Sequence, residues 1–192
     1  MVSHEIDFKI FGDDIQFVEI ELDQGETVIA EAGAMVYMDQ GISFEVKMGD
    51  GTSPDQGVMS KLLSAGSRLI TGESLFLTHF TNKGYGKSRV AFSAPYPGTI
   101  IPVDLKQVRN NLIVQKDGFL CAAMGTKLSV TLNRKIGSGL LGGKGLFLAT
   151  IRGTGKVWLQ SMPIRKLIRA LAPFGRNTGK EAGSILGSLF ER

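Results

Sequence analysis

The sequence predicts an all-β protein: an internally duplicated β-sandwich or barrel-like body, followed by a short C-terminal amphipathic helix. Three observations predict it: strict alternation of apolar and polar residues in several short segments, a large supply of glycine, and a Leu-Phe-Leu motif that occurs twice behind glycine-rich approaches. Alternation marks a strand because successive side chains point to opposite faces of a sheet. It is unbroken at Ile42-Ser43-Phe44-Glu45-Val46-Lys47-Met48 and recurs at Val18-Glu19-Ile20-Glu21-Leu22 and Leu128-Ser129-Val130-Thr131-Leu132. Less regular β-rich runs lie near residues 5–11, 26–31, 74–81, 88–94, 99–103 and 111–123. Turn-forming clusters separate them: Gly12-Asp13-Asp14, Asp23-Gln24-Gly25, Asp39-Gln40-Gly41 and Lys116-Asp117-Gly118. Many short strands at this spacing argue for a sandwich or barrel and against a parallel α/β sheet. The 25 glycines against 6 prolines suit tight turns and bulges.

The repeat is the most informative feature. Gly72-Glu73-Ser74-Leu75-Phe76-Leu77-Thr78 aligns with Gly143-Lys144-Gly145-Leu146-Phe147-Leu148-Ala149. Each copy then reaches a Gly-x-Gly-Lys turn, Gly84-Tyr85-Gly86-Lys87 and Gly153-Thr154-Gly155-Lys156, followed by an alternating strand beginning at Val90 or Val157. The expectation is two hairpins of one design related by pseudo-symmetry, in halves covering about 24–94 and 116–161 of a β-domain spanning 1–162. The first half carries an insertion around residues 49–60, expected as a surface loop. After Ser161 the pattern changes. Pro163 suits a first helical turn, and Ile164, Leu167, Ile168 and Leu171 fall on one helical face with Arg165, Lys166 and Arg169 opposite. Residues 163–192 therefore read as a helix over about 163–172 and a Gly-rich tail.

Composition narrows the function classes. Hydrophobic residues at 43% and charged residues at 21% exclude wholesale disorder. The lone cysteine, Cys121, cannot form an internal disulfide. No apolar run approaches the roughly 20 residues of a membrane-spanning helix, and the acidic, alternating start is unlike a targeting peptide; the expected location is cytoplasmic, with peripheral attachment to a membrane as a variant. The net charge of +4 hides an asymmetry: residues 1–60 hold thirteen acidic and two basic residues, a local charge of −11, and residues 61–192 hold five acidic and twenty basic, +15. Either the two segments neutralise each other within one fold, or an acidic face meets a basic face of another subunit or an anion.

No catalytic constellation emerges, and the expectation is a non-enzyme without cofactor or metal. Gly137-Ser138-Gly139-Leu140-Leu141-Gly142 satisfies G-x-G-x-x-G, but a dinucleotide site needs a helix opening from the loop, and here another glycine cluster and a strand follow. His4, His79 and Cys121 lack metal-ligand spacing. Cys121 sits in the apolar run Gly118–Ala123, where a buried structural thiol is the ordinary outcome, although a Cys-His dyad assembled in space stays open. Asp13-Asp14 falls in a turn, and Glu19 and Glu21 read as a solvated face. Arg165, Lys166 and Arg169 form the one candidate contact with an anionic membrane or nucleic acid, since a cationic face opposite an apolar stripe can lie on an anionic surface. Packing of that stripe on the β-body is the simpler alternative.

Four segments together resemble a known family: Leu-Leu-Gly-Gly-x-Gly-Leu-Phe-Leu at 140–148, Gly-Thr-Gly-Lys-Val-Trp-Leu-Gln-Ser at 153–161, Glu-Ala-Gly-Ala-Met-Val-Tyr-Met at 31–38, and Gly-Glu-Ser-Leu-Phe-Leu-Thr at 72–78. The chain is similar over about 5–161 to the family named after the altered inheritance of mitochondria protein 24. The resemblance implies an all-β, duplicated fold similar to the tryptophan RNA-binding attenuation protein, a tendency to form homo-oligomers, and no established catalytic residues. The leading functional expectation is therefore a self-associating structural or scaffolding protein. Binding of RNA or acidic lipid through the basic C-terminal two-thirds, or of a small molecule between the repeats, are the alternatives.

Overall fold

A computed structural model describes residues 3–48, 76–94, 96–133 and 146–163. Among these residues the strands are β1 (Asp7–Phe11), β2 (Phe17–Leu22), β3 (Thr27–Ala30), β4 (Met35–Met38), β5 (Ile42–Met48), β6 (Phe76–Asn82), β7 (Ser88–Ser93), β8 (Ile100–Asp104), β9 (Asn111–Gln115), β10 (Phe119–Ala123), β11 (Lys127–Asn133), β12 (Leu146–Arg152) and β13 (Lys156–Gln160). Three short 3-10 turns interrupt them: η1 (Ala32–Ala34), η2 (Leu105–Val108) and η3 (Lys116–Gly118). The all-β expectation holds. Perfect alternation over 42–48 became β5 with the same limits, while the apolar run 111–123 divides into β9 and β10 because η3 turns the chain at Lys116-Asp117-Gly118. The 49–60 insertion, the Gly137–Gly142 match, the helix expected after Pro163 with Arg165, Lys166 and Arg169, and the tail lie outside the described residues.

The strands form three sheets with the orders β1-β2-β7-β4, β5-β6-β3-β10-β13-β8 and β11-β12-β9, and every strand ladder is antiparallel. The six-stranded sheet is the middle layer. One face packs Val28, Ala30, Phe80, Cys121, Ala123 and Trp158 against Val18, Ile20, Val90 and Phe92 of the four-stranded sheet. The other packs Ile29, Leu77, Ala122 and Val157 against Leu128 and Ile151 of the three-stranded sheet. Alternate residues of β3 and β10 thus serve different cores, as the period of two requires for a strand covered on both sides. A register slip in β10 between Phe119 and Cys121 lets Phe119 face one core while Leu120 and Cys121 face the other.

The two Gly-x-Gly-Lys turns do not close hairpins, contrary to the reading of the sequence. β6 pairs with β3 and β5, whereas β7 pairs with β2 and β4; likewise β12 pairs with β9 and β11, and β13 with β8 and β10. Each turn is a corner that carries the chain from one sheet to the facing one. The corner needs glycine because backbones nearly touch there: a Cβ on Gly84 would lie 3.1 Å from the Gly41 Cα, and one on Gly153, at φ +135°, 3.1 Å from the Gly125 carbonyl oxygen.

Asn82 secures the first corner. Fully buried, it donates from Nδ2 to the Leu22 carbonyl at 2.8 Å and the Gly86 carbonyl at 2.7 Å, and its Oδ1 accepts from the Gly84 N–H at 2.9 Å. Buried amide groups left without partners cost more than the net value of the bonds themselves. Asn82→Ala should therefore lower the unfolding free energy by about 2–4 kcal/mol, read as a reduced urea midpoint at unchanged slope.

Candidate functional site

Three places among the described residues bear on possible chemistry. The first is an open cleft of about 340 Å³ lined by Ser3, His4, Glu5, Ile6, Asp104, Lys106, Thr154, Gly155 and Lys156. The N-terminal segment forms one wall, the β8–η2 junction another, and the second Gly-x-Gly-Lys corner the third. Hydrogen bonds fix most of the potential chemistry. The Ser3 hydroxyl donates to the Met124 carbonyl at 2.9 Å, and His4 Nδ1 accepts the Thr27 N–H at 3.0 Å, which places the ring proton of the neutral form on Nε2. The Asp104 carboxylate caps η2 by accepting the Lys106 N–H at 2.9 Å. Lys156 Nζ lies 5.6 Å from the centre of the Phe8 ring. The cleft thus offers ammonium groups and a carboxylate to a small polar ligand, with no nucleophile set beside a base.

The second is a half-buried cluster where η1 meets η3. Glu31 precedes η1, and burial raises its pKa above the ordinary carboxylate value, partly countered by Lys116 and reinforced by Asp117. Burial together with Asp117 and Glu31 raises the Tyr96 phenol, while a hydrogen bond from Gln160 works against the rise. Gln160 Nε2 also donates to the Asp117 carbonyl. Sequence reading passed over Glu31; its one signal was a lone charge in the otherwise uncharged stretch Thr27–Met38.

The third concerns Cys121. Its thiol is fully buried, and desolvation raises its pKa well above the ordinary thiol value. Cys121 stands opposite Ala30 and faces the core shared with the four-stranded sheet; His79 stands opposite Ile29, which faces the other core. The two side chains leave opposite faces of the middle sheet, so they form no dyad. Among the described residues, no group of three His, Cys, Asp or Glu side chains is placed to hold a metal, and no helix is long and apolar enough to cross a membrane.

The charge asymmetry is partly resolved within the chain. Lys87 pairs with Glu21 and, at 3.5 Å, with Asp7, and Arg89 Nε meets Asp39 at 3.4 Å. These pairs join basic residues at and just before β7 to acidic residues of the first sixty, but they are solvent-exposed and contribute little. What the described surface also exposes is apolar: Met35, Val36 and Tyr37 on β4, Phe44 and Val46 on β5, and Ile113 on β9.

The family model described as Mitochondrial biogenesis AIM24 matches residues 8–168. An uncharacterized protein of Streptococcus pyogenes serotype M6 is 33% identical over 168 residues, covering 84% of this chain and 62% of that protein. A crystal structure of a Streptococcus pyogenes protein matches with a TM-score of 0.58 at 24% identity, covering 82% of this chain and 65% of the other. The chain therefore spans a little under two thirds of the length of these relatives.

Two outcomes test the site descriptions. A Cβ on Gly155 would fall 2.0 Å from Ser3 Oγ and 2.9 Å from Ser3 Cβ, so Gly155→Ala should push the N-terminal wall out of the cleft and cost about 1–3 kcal/mol of stability, seen as faster amide exchange at residues 3–6. For Glu31, a raised folded-state pKa means its stabilising contribution is complete below the unfolded value of 4.5 and is lost as pH rises through the folded value. Glu31→Gln should accordingly melt higher than the parent at about pH 7 and together with it near pH 3.5; a lower melting temperature at pH 7 would contradict the burial penalty.

Proposed function

The chain belongs to the Mitochondrial biogenesis AIM24 family, and from that footing we propose that it is a self-associating structural protein, built from two copies of one two-sheet unit and working through its surfaces instead of an active site. The observation that carries this reading is the row of large apolar side chains exposed on strands at sheet edges. Val36 is 52% exposed, Phe44 60%, Val46 57% and Ile113 61%. Apolar edge strands left in water recruit further strands, and proteins that stay monomeric blunt them with charge, proline or bulges.

The duplication has its support in the strand pairing. β5-β6-β3 repeats as β11-β12-β9, and β2-β7-β4 repeats as β8-β13-β10. Residue pairs match as well: Ser43 opposite Thr81 corresponds to Lys127 opposite Arg152, and Ile29 opposite His79 to Ile113 opposite Thr150. The register slip between Phe119 and Cys121 has its counterpart between Met35 and Tyr37. The structural reading draws further support from the inert Cys121 and from Asp104 and His4 being spent on backbone hydrogen bonds.

Light scattering coupled to size exclusion, at low and high salt, tests self-association. The expected mass is a multiple of the chain mass under both conditions, because apolar edge burial resists salt while exposed ion pairs do not. A single-chain mass in both buffers would overturn the reading.

A further inference from the structure

Within the chain, the two proposed copies are joined edge to edge. β3 of the first lies antiparallel to β10 of the second, with Ala30 opposite Cys121, Ile29 opposite Ala122 and Val28 opposite Ala123. The same two edges exist a second time. β9 is the counterpart of β3: each ends a three-strand ladder, beside β12 or β6, and each leads into a 3-10 turn. β4 is the counterpart of β10: each lies beside the strand after a Gly-x-Gly-Lys corner, with the same register slip. Yet β3 and β10 are interior strands, buried at every residue, whereas among the described residues β4 ends the four-stranded sheet and β9 ends the three-stranded sheet.

Resting on the self-association proposed above, we propose that β9 of one chain pairs antiparallel with β4 of a second copy, repeating between chains the joint that β3 and β10 make within one. Transferring the register places Val114 opposite Tyr37, Ile113 opposite Met38 and Leu112 opposite Asp39. The union fuses the three-stranded sheet of one copy with the four-stranded sheet of the next, β11-β12-β9 against β4-β7-β2-β1. This continues the order of the middle sheet, β5-β6-β3 against β10-β13-β8. Ile113, Met35, Val36 and Tyr37, exposed in one chain, then sit at a sheet interior.

A second copy is the occupant that charge also favours. β9, β11 and β12 contain Lys127 and Arg152 and no acidic residue, while the four-stranded sheet carries Asp7, Glu19 and Glu21 against Lys9 and Arg89. Joining them sets a sheet whose strands carry two positive charges beside one whose strands carry a single net negative charge. The contact uses different edges on its two sides, so it is heterologous and passes from copy to copy until rotation closes a ring.

Two variants test the pairing. Directly opposed residues of an antiparallel pair have Cα atoms about 4.5–5.5 Å apart, within reach of a disulfide, and the native Cys121 is buried. The double variant Met38→Cys/Ile113→Cys should give, on mild oxidation, a non-reducing gel ladder at successive multiples of the chain, absent from either single variant. Ile113→Lys, at a position exposed in the single chain, should keep the circular dichroism of the parent while its mass falls to one chain. A native multimer that neither cross-links in the double variant nor dissociates in the lysine variant overturns the β4–β9 pairing and leaves self-association standing. A parent that is a single chain in every buffer overturns both.

Discussion

The pairing of β3 with β10 is the constraint on which the rest of the described structure depends. These two short strands are covered on both faces and on both edges, so each side chain must fit between two sheets while each backbone group meets a neighbour. Small side chains make this feasible: Ala30, Cys121, Ala122 and Ala123 let the outer sheets approach the middle one. The two cores are thereby coupled, because shifting β10 by one residue would exchange Cys121 and Ala122 between them and turn every neighbouring contact with it. The buried thiol at this point is a packing element. Desolvation keeps it protonated, so it adds bulk to the core without adding an ionisable group.

Much of this was legible in the sequence, and the exceptions have physical causes. β2 and β11 were readable because one face meets apolar neighbours and the other does not, which imprints alternation, and β5 carries the same alternation although Phe44 and Val46 of its apolar set are exposed. β10 and β3 carry no alternation because neither face is exposed, so only their β-rich composition marked them. β4 was not read as a strand: Met35-Val36-Tyr37-Met38 is uniformly apolar and only four residues long, and periodicity is silent on such a run. The corners were misread as hairpins because a glycine turn between two strand-like segments has the same local chemistry in either case. What separates them is whether the flanking strands pair, and that is settled by Asn82 reaching the Leu22 carbonyl and by Gly84 meeting Gly41, contacts from distant parts of the chain.

The site chemistry was less legible than the fold. His4 enters the cleft wall only because the N-terminal segment crosses to Thr27 and Met124. Burial is the main reason the Glu31 pKa is raised, and only the fold brings η3 near it, where Asp117 adds to the rise and Lys116 opposes it. Neither juxtaposition has a sequence spacing to betray it. The charge asymmetry was plainly visible, yet its meaning needed the pairings: Lys87 and Arg89, at and just before β7, answer Glu21, Asp7 and Asp39, whereas Lys127 of β11 and Arg152 of β12 belong to a different sheet from that acidic set.

The contrast between β4 and β10 bears on what a strand needs at a sheet edge and in a sheet interior. In the duplication proposed above, Cys121, Ala122 and Ala123 of β10 correspond to Tyr37, Met38 and Asp39 on the β4 side. Interior placement between two cores demands small, apolar groups, whereas an edge that spends time in water needs polar handles. Tyr37 donates its hydroxyl to Glu19, and the Asp39 carboxylate accepts the Arg89 backbone N–H at 2.8 Å, so both polar ends are held close to their own sheet. A proton on the Tyr37 phenol is favoured by that hydrogen bond, which raises its pKa. Polar groups already satisfied at the margin of a strand cost little further when a neighbour arrives. Under the proposed assembly, the bulk of β4 and its anchored polar ends are what distinguish a joint made between chains from one made within a chain.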